Sequence, residues 1–439
     1  MCGSIPHSPS APAVNSPSPF ADSAAAAADD DDNSTRTSHL PMPGPLFDAH
    51  CHPTDHMHAT ALIPHMHAAQ LIAMATRAQD QILVARLAAA QPQRVVPAFG
   101  WHPWFSHLLL DDLLASESES GSVSAADKDA HYIRVLDLKS PLTPADRAFI
   151  ADLPAPTPLS SFLAQTEALL RQHPHALVGE VGLDRAFRLP VHPSPSPLPP
   201  SSSTPPAHDA PTPGTRLARR LSPYRVSPTH QIRLLTAHLR LAAAYRRPVS
   251  IHGVQAHGLL YETLSSMWRG WEHELPNRRQ RRQRQRQDDL FDSDSETLAT
   301  ADTDAKETPF PPKICLHSFS GPKDFALRYT HASVPCKVFF SFSSAVNLGG
   351  TAFNAPPLGT PPLPNAAAAQ KFTAVVAALP ADRILAESDL DAAGPRMDFE
   401  LQRVYRAICD VRGWTLDQGV QQIKQNYQDF IRVEALTKA

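Results

Sequence analysis

The stretch Leu46–His56, "LFDAHCHPTDH", starts as an apolar strand pattern and ends in a group of histidines and acids. His50 and His52 are two residues apart, so on an extended strand both side chains point to one face and Cys51 points to the other. Two imidazoles on one face can share a metal ion, but the same pattern also fits a solvated turn or a histidine that caps a strand. The rest of the chain has to decide between these interpretations.

Short apolar runs of strand length recur along the chain, and several are separated by helical patterns. In Thr229–Arg247, for example, Ile232, Leu235 and Leu239 follow the i, i+3, i+4 spacing of an amphipathic helix. The candidate strands are "PLFDAH", "LIAMAT", "RVVPAFG", "HALVGEVG", "PVSIHG", "KICLHSFS", "CKVFFSF" and "RILAESD". Eight strands alternating with helices predict an α/β protein with a (β/α)8 TIM-type barrel.

Proline marks the parts of the chain that do not fit this pattern. The 439 residues include 45 prolines, about twice the usual frequency of roughly 5%. Residues 1–43 are rich in Ser, Pro and Ala without an apolar period, which predicts a disordered N-terminal segment. The barrel is then predicted over 44–439, with low-complexity insertions near 116–129, 190–213, 277–308 and 354–365.

Composition excludes several classes of protein. A net charge of -3 provides no general attraction to nucleic acid or to an anionic membrane. Five irregularly spaced cysteines indicate neither a disulfide framework nor a zinc knuckle. No apolar stretch is long enough for a membrane span, and the N-terminus lacks the features of a secretory signal. We therefore expect an intracellular protein, cytoplasmic or nuclear, without a membrane partner.

In such a barrel the active site lies at the carboxyl ends of the strands, and ligand-type residues collect there in this sequence. They are His50, His52, His102, Glu180, His252, His317 and Asp389. Each has an ordinary alternative, namely a satisfied core histidine, a buried carboxylate or a helix cap. Their common position favours two divalent ions with one carboxylate between them, an arrangement that activates water and stabilises a leaving oxygen.

The motifs at these strand ends are "DAHCHPTD", "GWHPW", "GEVGLD", "SIHG", "LHSFSG" and "AESD", followed near the end by "NYQDFIRV". In this order they resemble the TatD family of metal-dependent deoxyribonucleases, within the amidohydrolase-like barrels. The resemblance extends from about residue 46 to 390, and the closing motif is similar to the family's last helix.

The resemblance implies a role for each residue. One metal ion would be held by His50, His52 and Asp389, the other by His252 and His317, with Glu180 bridging the two; the ions would be Mg²⁺, Mn²⁺ or Zn²⁺. Glu180 and Asp389 would be catalytic, and Asp389 would orient or deprotonate the attacking water.

Two further residues have supporting roles under the same resemblance. Glu387, deeper on the strand that carries Asp389, would support the ligands without binding metal. His102 resembles a histidine on the substrate side, although it also fits a turn residue beside Pro103.

The positions expected to meet a phosphodiester depart from the family pattern. Val254 replaces a basic residue, Leu390 and Asp391 replace Ser/Thr-Pro, and Trp104 and Phe105 replace polar side chains. A missing cation weakens phosphate binding and transition-state stabilisation. Metal binding is thus a firmer inference than DNA cleavage.

Three functions remain open from the sequence. The first is a two-metal hydrolase of DNA phosphodiesters. The second is an adaptor that binds a protein partner through its Pro-rich and charged insertions. The third is a hydrolase of another ester or amide in a pocket lined by Trp101, Trp104 and Phe105. The basic run "RRQRRQRQRQ", 278–287, is a candidate nucleic-acid or nuclear-import segment, but the acids that follow it also fit a solvated linker.

Overall fold

A computed structural model describes residues 42–113, 125–191, 221–274, 308–349 and 366–433. The chain divides after Ser38 into two units, Met1–Ser38 and His39–Ala439, and the first lies outside the described residues. So do the predicted disordered segment up to residue 41, the basic run 278–287, and most of the four predicted insertions.

Within these ranges the main sheet has eight strands. They are β1 (Leu46–Cys51), β2 (Ala68–Met74), β3 (Val95–Phe99), β4 (Leu177–Asp184), β5 (Val249–Val254), β6 (Lys313–Leu316), β7 (Lys337–Phe342) and β8 (Ile384–Ala386). Each strand pairs in parallel with the next one in sequence. The predicted barrel is confirmed.

Helices follow the strands, as parallel connections require. They are α1 (Ala78–Ala90), α2 (Ala125–Val135), α3 (Pro144–Asp152), α4 (Leu159–Gln172), α5 (Pro228–Ala244), α6 (His257–Trp268), α7 (Lys323–Tyr329), α8 (Ser344–Asn347), α9 (Ala366–Ala378), α10 (Pro395–Arg412) and α11 (Leu416–Ile431). Short 3-10 helices span Pro53–His65, Pro103–Leu108 and Ala381–Arg383, and Leu109–Leu110 pairs separately with Thr157–Pro158. Over the described ranges, the helices lack the combination of length and apolarity needed to cross a membrane.

Two predicted boundaries are wrong. The loop predicted over 116–129 ends earlier, because α2 begins at Ala125, where alanines and an acid in the first turn favour a helix. The helix predicted to reach Arg247 ends at Ala244, since Arg246 has a φ of 50°, which is not helical.

Apolar side chains fill the lower part of the barrel. Phe47 of β1 packs on Tyr427 of α11 with ring centroids 5.0 Å apart, and Phe339 of β7 packs on Phe430 with centroids 5.4 Å apart. The helix α11, which contains the predicted closing motif, therefore plugs the amino-terminal end of the barrel. Polar groups are left to collect at the opposite end.

The two ends of the strand order, β1 and β8, meet through the residues that follow them. The amide of Asp389 donates to the His50 carbonyl at 3.0 Å, and the amide of His52 donates to the Leu390 carbonyl at 2.7 Å. Barrel closure thus brings the "DAHCH" and "AESD" motifs side by side.

Candidate metal centre

The predicted ligands all lie on or just beyond the barrel strands. His50 is in β1, His252 in β5, and His317 directly follows β6. Two positions differ from the prediction: Glu180 lies inside β4, which continues to Asp184, and Asp389 lies three residues beyond β8. The reason in β4 is a shift of register between Val178 and Val181, which lets pairing with β5 resume after Glu180.

The opening motif forms as its spacing predicts. Nε2 of His50 and Nε2 of His52 lie 3.2 Å apart, so both imidazoles point to one place. Cys51 points the other way, and its thiol lies 3.5 Å from the carbonyl of Ile72. The two-residue spacing therefore places the imidazoles together.

Glu180 lies at the centre of the cluster, and its two oxygens face different histidines. The contacts of Oε1 are His317 Nε2 at 2.8 Å, His252 Nδ1 at 2.9 Å and His102 Nε2 at 3.0 Å. Those of Oε2 are His52 Nε2 at 3.2 Å and His50 Nε2 at 3.3 Å. Asp389 lies on the same side of the cluster as His52, with its Oδ1 3.8 Å from His52 Nε2.

These donors fit divalent metal ions. All of the side chains are buried, and three overlapping groups have ligand atoms within 4.8 Å of one another. The groups are His50–His317–Asp389, His50–His52–Glu180 and His102–Glu180–His252. Imidazole nitrogen and carboxylate oxygen together suit zinc and manganese, and the carboxylates also suit magnesium.

The surroundings of Glu180 and His102 favour a charged carboxylate and an uncharged ring. Burial by itself would raise the pKa of Glu180, but His102, His317 and His50 outweigh it and hold that pKa well below its usual range. Burial lowers the pKa of His102 to about 4. At neutral pH Glu180 is therefore an anion, the form that binds metal ions, and His102 is a neutral hydrogen-bonding group.

His102 contacts the cluster directly, with Nε2 3.0 Å from Glu180 Oε1. Its Nδ1 accepts a hydrogen bond from the amide of Trp104 at 3.0 Å, so it also caps the 3-10 helix that starts at Pro103, as the turn interpretation predicted. That bond places the proton of the neutral ring on Nε2, which donates it to Glu180 Oε1. The side chain thus serves the turn and the cluster together.

Two of the histidines are oriented by groups that were not predicted from the sequence. Nδ1 of His50 lies 2.9 Å from Ser250 Oγ, and Nε2 of His252 lies 3.2 Å from Asp184 Oδ2. Glu387, which was predicted to support the ligands, lies 3.5 Å from His317 Nδ1 and accepts a hydrogen bond from Ser318 Oγ at 2.5 Å. Asp184, Ser250 and Ser318 all lie inside the motifs "GEVGLD", "SIHG" and "LHSFSG", but their spacing did not indicate which histidine each would contact.

Gly182 lets β4 and β5 come together at the cluster. Its φ is 156°, and a Cβ at this position would lie 2.1 Å from the carbonyl oxygen of His252. Only glycine fits such a backbone and such an approach. Close packing of β4 against β5 therefore explains why the second residue of the pair of glycines in "GEVG" has no side chain.

The predicted aromatic pocket is not formed by the three residues proposed for it. Trp101 is buried and packs on Phe162, with ring centroids 4.8 Å apart. The guanidinium carbon of Arg77 lies 4.1 Å from the ring centroid of Phe105. Trp104 and Phe105 lie beside the cluster, with ring centroids 4.7 Å and 6.4 Å from that of His102. Trp101 was therefore wrongly placed in the predicted pocket.

Comparison with known proteins agrees with this geometry. A family model described as TatD related DNase matches residues 47–432. The Cut9-interacting protein scn1 of Schizosaccharomyces pombe is 33% identical over 389 residues, which cover 88% of this chain and 99% of that protein. The uncharacterized deoxyribonuclease YMR262W of Saccharomyces cerevisiae is 25% identical over 348 residues, 76% of this chain and 81% of that protein.

Solved structures of the same kind are also similar. An uncharacterized amidohydrolase from Saccharomyces cerevisiae matches with a TM-score of 0.47 and 12% identity over 89% of this chain and 100% of the other. YJJV, a TatD homolog from Escherichia coli, matches with a TM-score of 0.44 and 18% identity over 88% and 97%. On the family match over most of its length, the chain belongs to the TatD-related DNase family of metal-dependent hydrolases.

Proposed function

We propose that the protein hydrolyses phosphodiester bonds of DNA with two divalent ions, Mg²⁺, Mn²⁺ or Zn²⁺. The observation that carries this proposal is the division of the histidines between the two oxygens of Glu180. His50 and His52 lie at Oε2, whereas His252 and His317 lie at Oε1. A carboxylate placed in this way is suited to bridge two ions.

These contacts support an assignment of the ligands. His50, His52 and Asp389 would hold one ion, His252 and His317 would hold the other, and Glu180 would lie between them. Ions in such a pair supply Lewis-acid activation of water and neutralise charge on the phosphodiester. Asp389 would orient the attacking water and accept its proton, and His102, between Glu180 and Trp104, would face the substrate and hold Glu180 by a hydrogen bond.

The test is Mn²⁺-dependent cleavage of DNA by the purified chain and its Asp389→Asn and Glu180→Gln variants. We expect each variant to lose at least about a hundredfold in kcat, the scale of a general base or of a lost ligand. Asp410→Asn is the control, because this carboxylate is exposed on α10 and is not among the proposed ligands. Cleavage that survives in Asp389→Asn, or fails in metal-loaded wild-type protein, would overturn the proposal.

A second candidate function is adaptor binding. It is supported by the name of the relative scn1, a Cut9-interacting protein, and by Val254 and Leu390 at positions where phosphate contacts were expected. The candidate predicts that the full chain forms a stoichiometric complex with purified Cut9 and that deletion of 277–307 weakens it. An unchanged dissociation constant for the deletion would contradict a role of that insertion. The predicted intracellular location, cytoplasmic or nuclear, belongs to these proposals as well.

A further inference from the structure

We infer that Trp104 and Phe187, with Arg185 and Arg188, form a subsite beside the metal cluster that stacks a nucleobase and binds its neighbouring phosphates. This subsite takes an unpaired DNA end. The inference rests on the proposed nuclease function and names the form of its substrate.

The aromatic pair is preformed. The rings of Trp104 and Phe187 stack with centroids 4.8 Å apart and an angle of 12° between their planes. Both side chains are only partly buried, so π surface remains available to a ligand. Stacking on aromatic side chains accepts any base and is a usual basis of single-strand binding.

The pair adjoins the proposed metal ligands. Trp104 lies against His102 with ring centroids 4.7 Å apart, and 6.3 Å from the ring of His252. A single carboxylate oxygen, Asp184 Oδ2, accepts from Trp104 Nε1 at 2.7 Å and lies 3.2 Å from His252 Nε2. A base on the pair would therefore place its phosphate near the cluster.

The segment that carries Phe187 is also held in place. Asp184 Oδ1 accepts hydrogen bonds from the amides of Ala186 at 2.7 Å and Phe187 at 2.8 Å. Arg225 donates to the carbonyl of Arg185 at 2.9 Å. Ordering this segment therefore adds little entropic cost when a ligand binds.

Two cations lie in the same short segment of the chain as Phe187, at Arg185 and Arg188. Arg185 and Arg188 are exposed, and neither guanidinium forms an ion pair with an acid among the residues that the structure describes. Charged groups of this kind attract phosphates along a strand. They offer positive charge that Val254 and the Leu390–Asp391 pair do not provide.

This combination favours an unpaired end over an intact duplex. A base inside a duplex is stacked on both faces by its neighbours, so it must leave the stack to lie on a protein ring. Exposed cations beside an aromatic pair suit such a separated strand.

The first experiment measures binding without cleavage, using metal-loaded protein and a fluorescent single-stranded oligonucleotide with phosphorothioate linkages. Its terminal nucleotide is either normal or abasic. We expect wild-type protein to bind the normal end about tenfold or more tightly, and Phe187→Ala to reduce this preference to less than about twofold. Phe149→Ala, which removes a partly buried ring stacked 4.3 Å from Tyr224, is the matched control and should retain the preference.

The second experiment tests the cations through salt dependence. Arg185→Gln with Arg188→Gln should reduce the slope of log affinity against log salt by about 1.4, or about 0.7 for each phosphate contact on a single strand. Arg240→Gln, at an exposed position on α5, should leave the slope unchanged.

The outcomes separate this inference from the proposed function. A wild-type protein without base preference, or a Phe187→Ala variant that weakens both oligonucleotides equally, would overturn the subsite even if DNA is cleaved. Base-dependent binding that is lost in Phe187→Ala, without cleavage of an unprotected strand, would support the subsite and reject the nuclease.

Discussion

Oδ1 of Asp48 accepts a hydrogen bond from the backbone amide of Ser388 at 3.0 Å, so a buried side chain of β1 ties the first strand to the segment that follows the last. The same oxygen accepts from the amide of His50 at 3.1 Å. Because Ser388 precedes Asp389, this bond couples closure of the barrel to the positions of two proposed metal ligands.

Replacement of Asp48 should separate the role of its oxygen from that of its charge. We expect Asp48→Ala to lower the free energy of unfolding by about 2 kcal/mol or more, because two buried amides lose their acceptor. Asp48→Asn retains an acceptor and should cost less than about 1 kcal/mol. Urea titrations check both values, with Asp410→Ala as an exposed control; equal losses in Ala and Asn would contradict the argument.

Metal removal should destabilise the fold measurably. The proposal predicts two ions per chain by elemental analysis and a thermal midpoint that rises when Mn²⁺ or Zn²⁺ is added back. A ligand at about a hundred times its Kd stabilises the native state by roughly 2.7 kcal/mol. Glu180→Gln should lose at least one ion and most of this rise, whereas Glu262→Gln, an exposed change on α6, should not. The same ion count in both variants would contradict the central place of Glu180.

The carboxylate of Asp184 should tune metal affinity through His252. Burial lowers the pKa of His252, but hydrogen bonds to Asp184 and Glu180 outweigh it and raise that pKa. Removing such a support costs about 10- to 100-fold in metal affinity, so we expect this loss in Asp184→Asn. Trp104→Phe removes the other partner of the same oxygen and should change metal affinity little. Competition with a chelating dye measures both, and similar losses in the two variants would point to general disruption.

Acid should destabilise the protein through a buried histidine away from the cluster. Burial lowers the pKa of His238 to about 4, below the unfolded value of about 6.5. Between these values the unfolded chain binds more protons, so stability is full above pH 6.5 and is lost as the pH falls toward 4, by up to about 3 kcal/mol. Thermal midpoints from pH 7.5 to 4.5 should fall less steeply in His238→Gln than in wild type. His65→Gln, on the surface, should retain the wild-type slope; an unchanged slope in His238→Gln would reject the explanation.

The main strands were predictable because each is a short apolar run bounded by turn residues, and because ligand-type residues follow them in a consistent order. Boundaries were less predictable: α2 begins inside a predicted loop at Ala125, and β4 runs past Glu180. The start of α2 and the end of β4 both depend on contacts with other elements, and a local sequence pattern carries no information about those contacts. The aromatic pocket failed for the same reason, since Trp101 turns into the core and Trp104 toward the cluster although they are three residues apart.

The sequence by itself determined the barrel, the family and the ligand types, because strand periodicity and the spacing of His50 and His52 act locally. Tertiary structure alone decided that Glu180 faces different histidines with its two oxygens, that Asp184 joins Trp104 to His252, and that Asp48 ties β1 to Ser388. Those relations join residues on different strands, and a hydrogen bond depends on ångström-scale distances that exist only after the barrel closes.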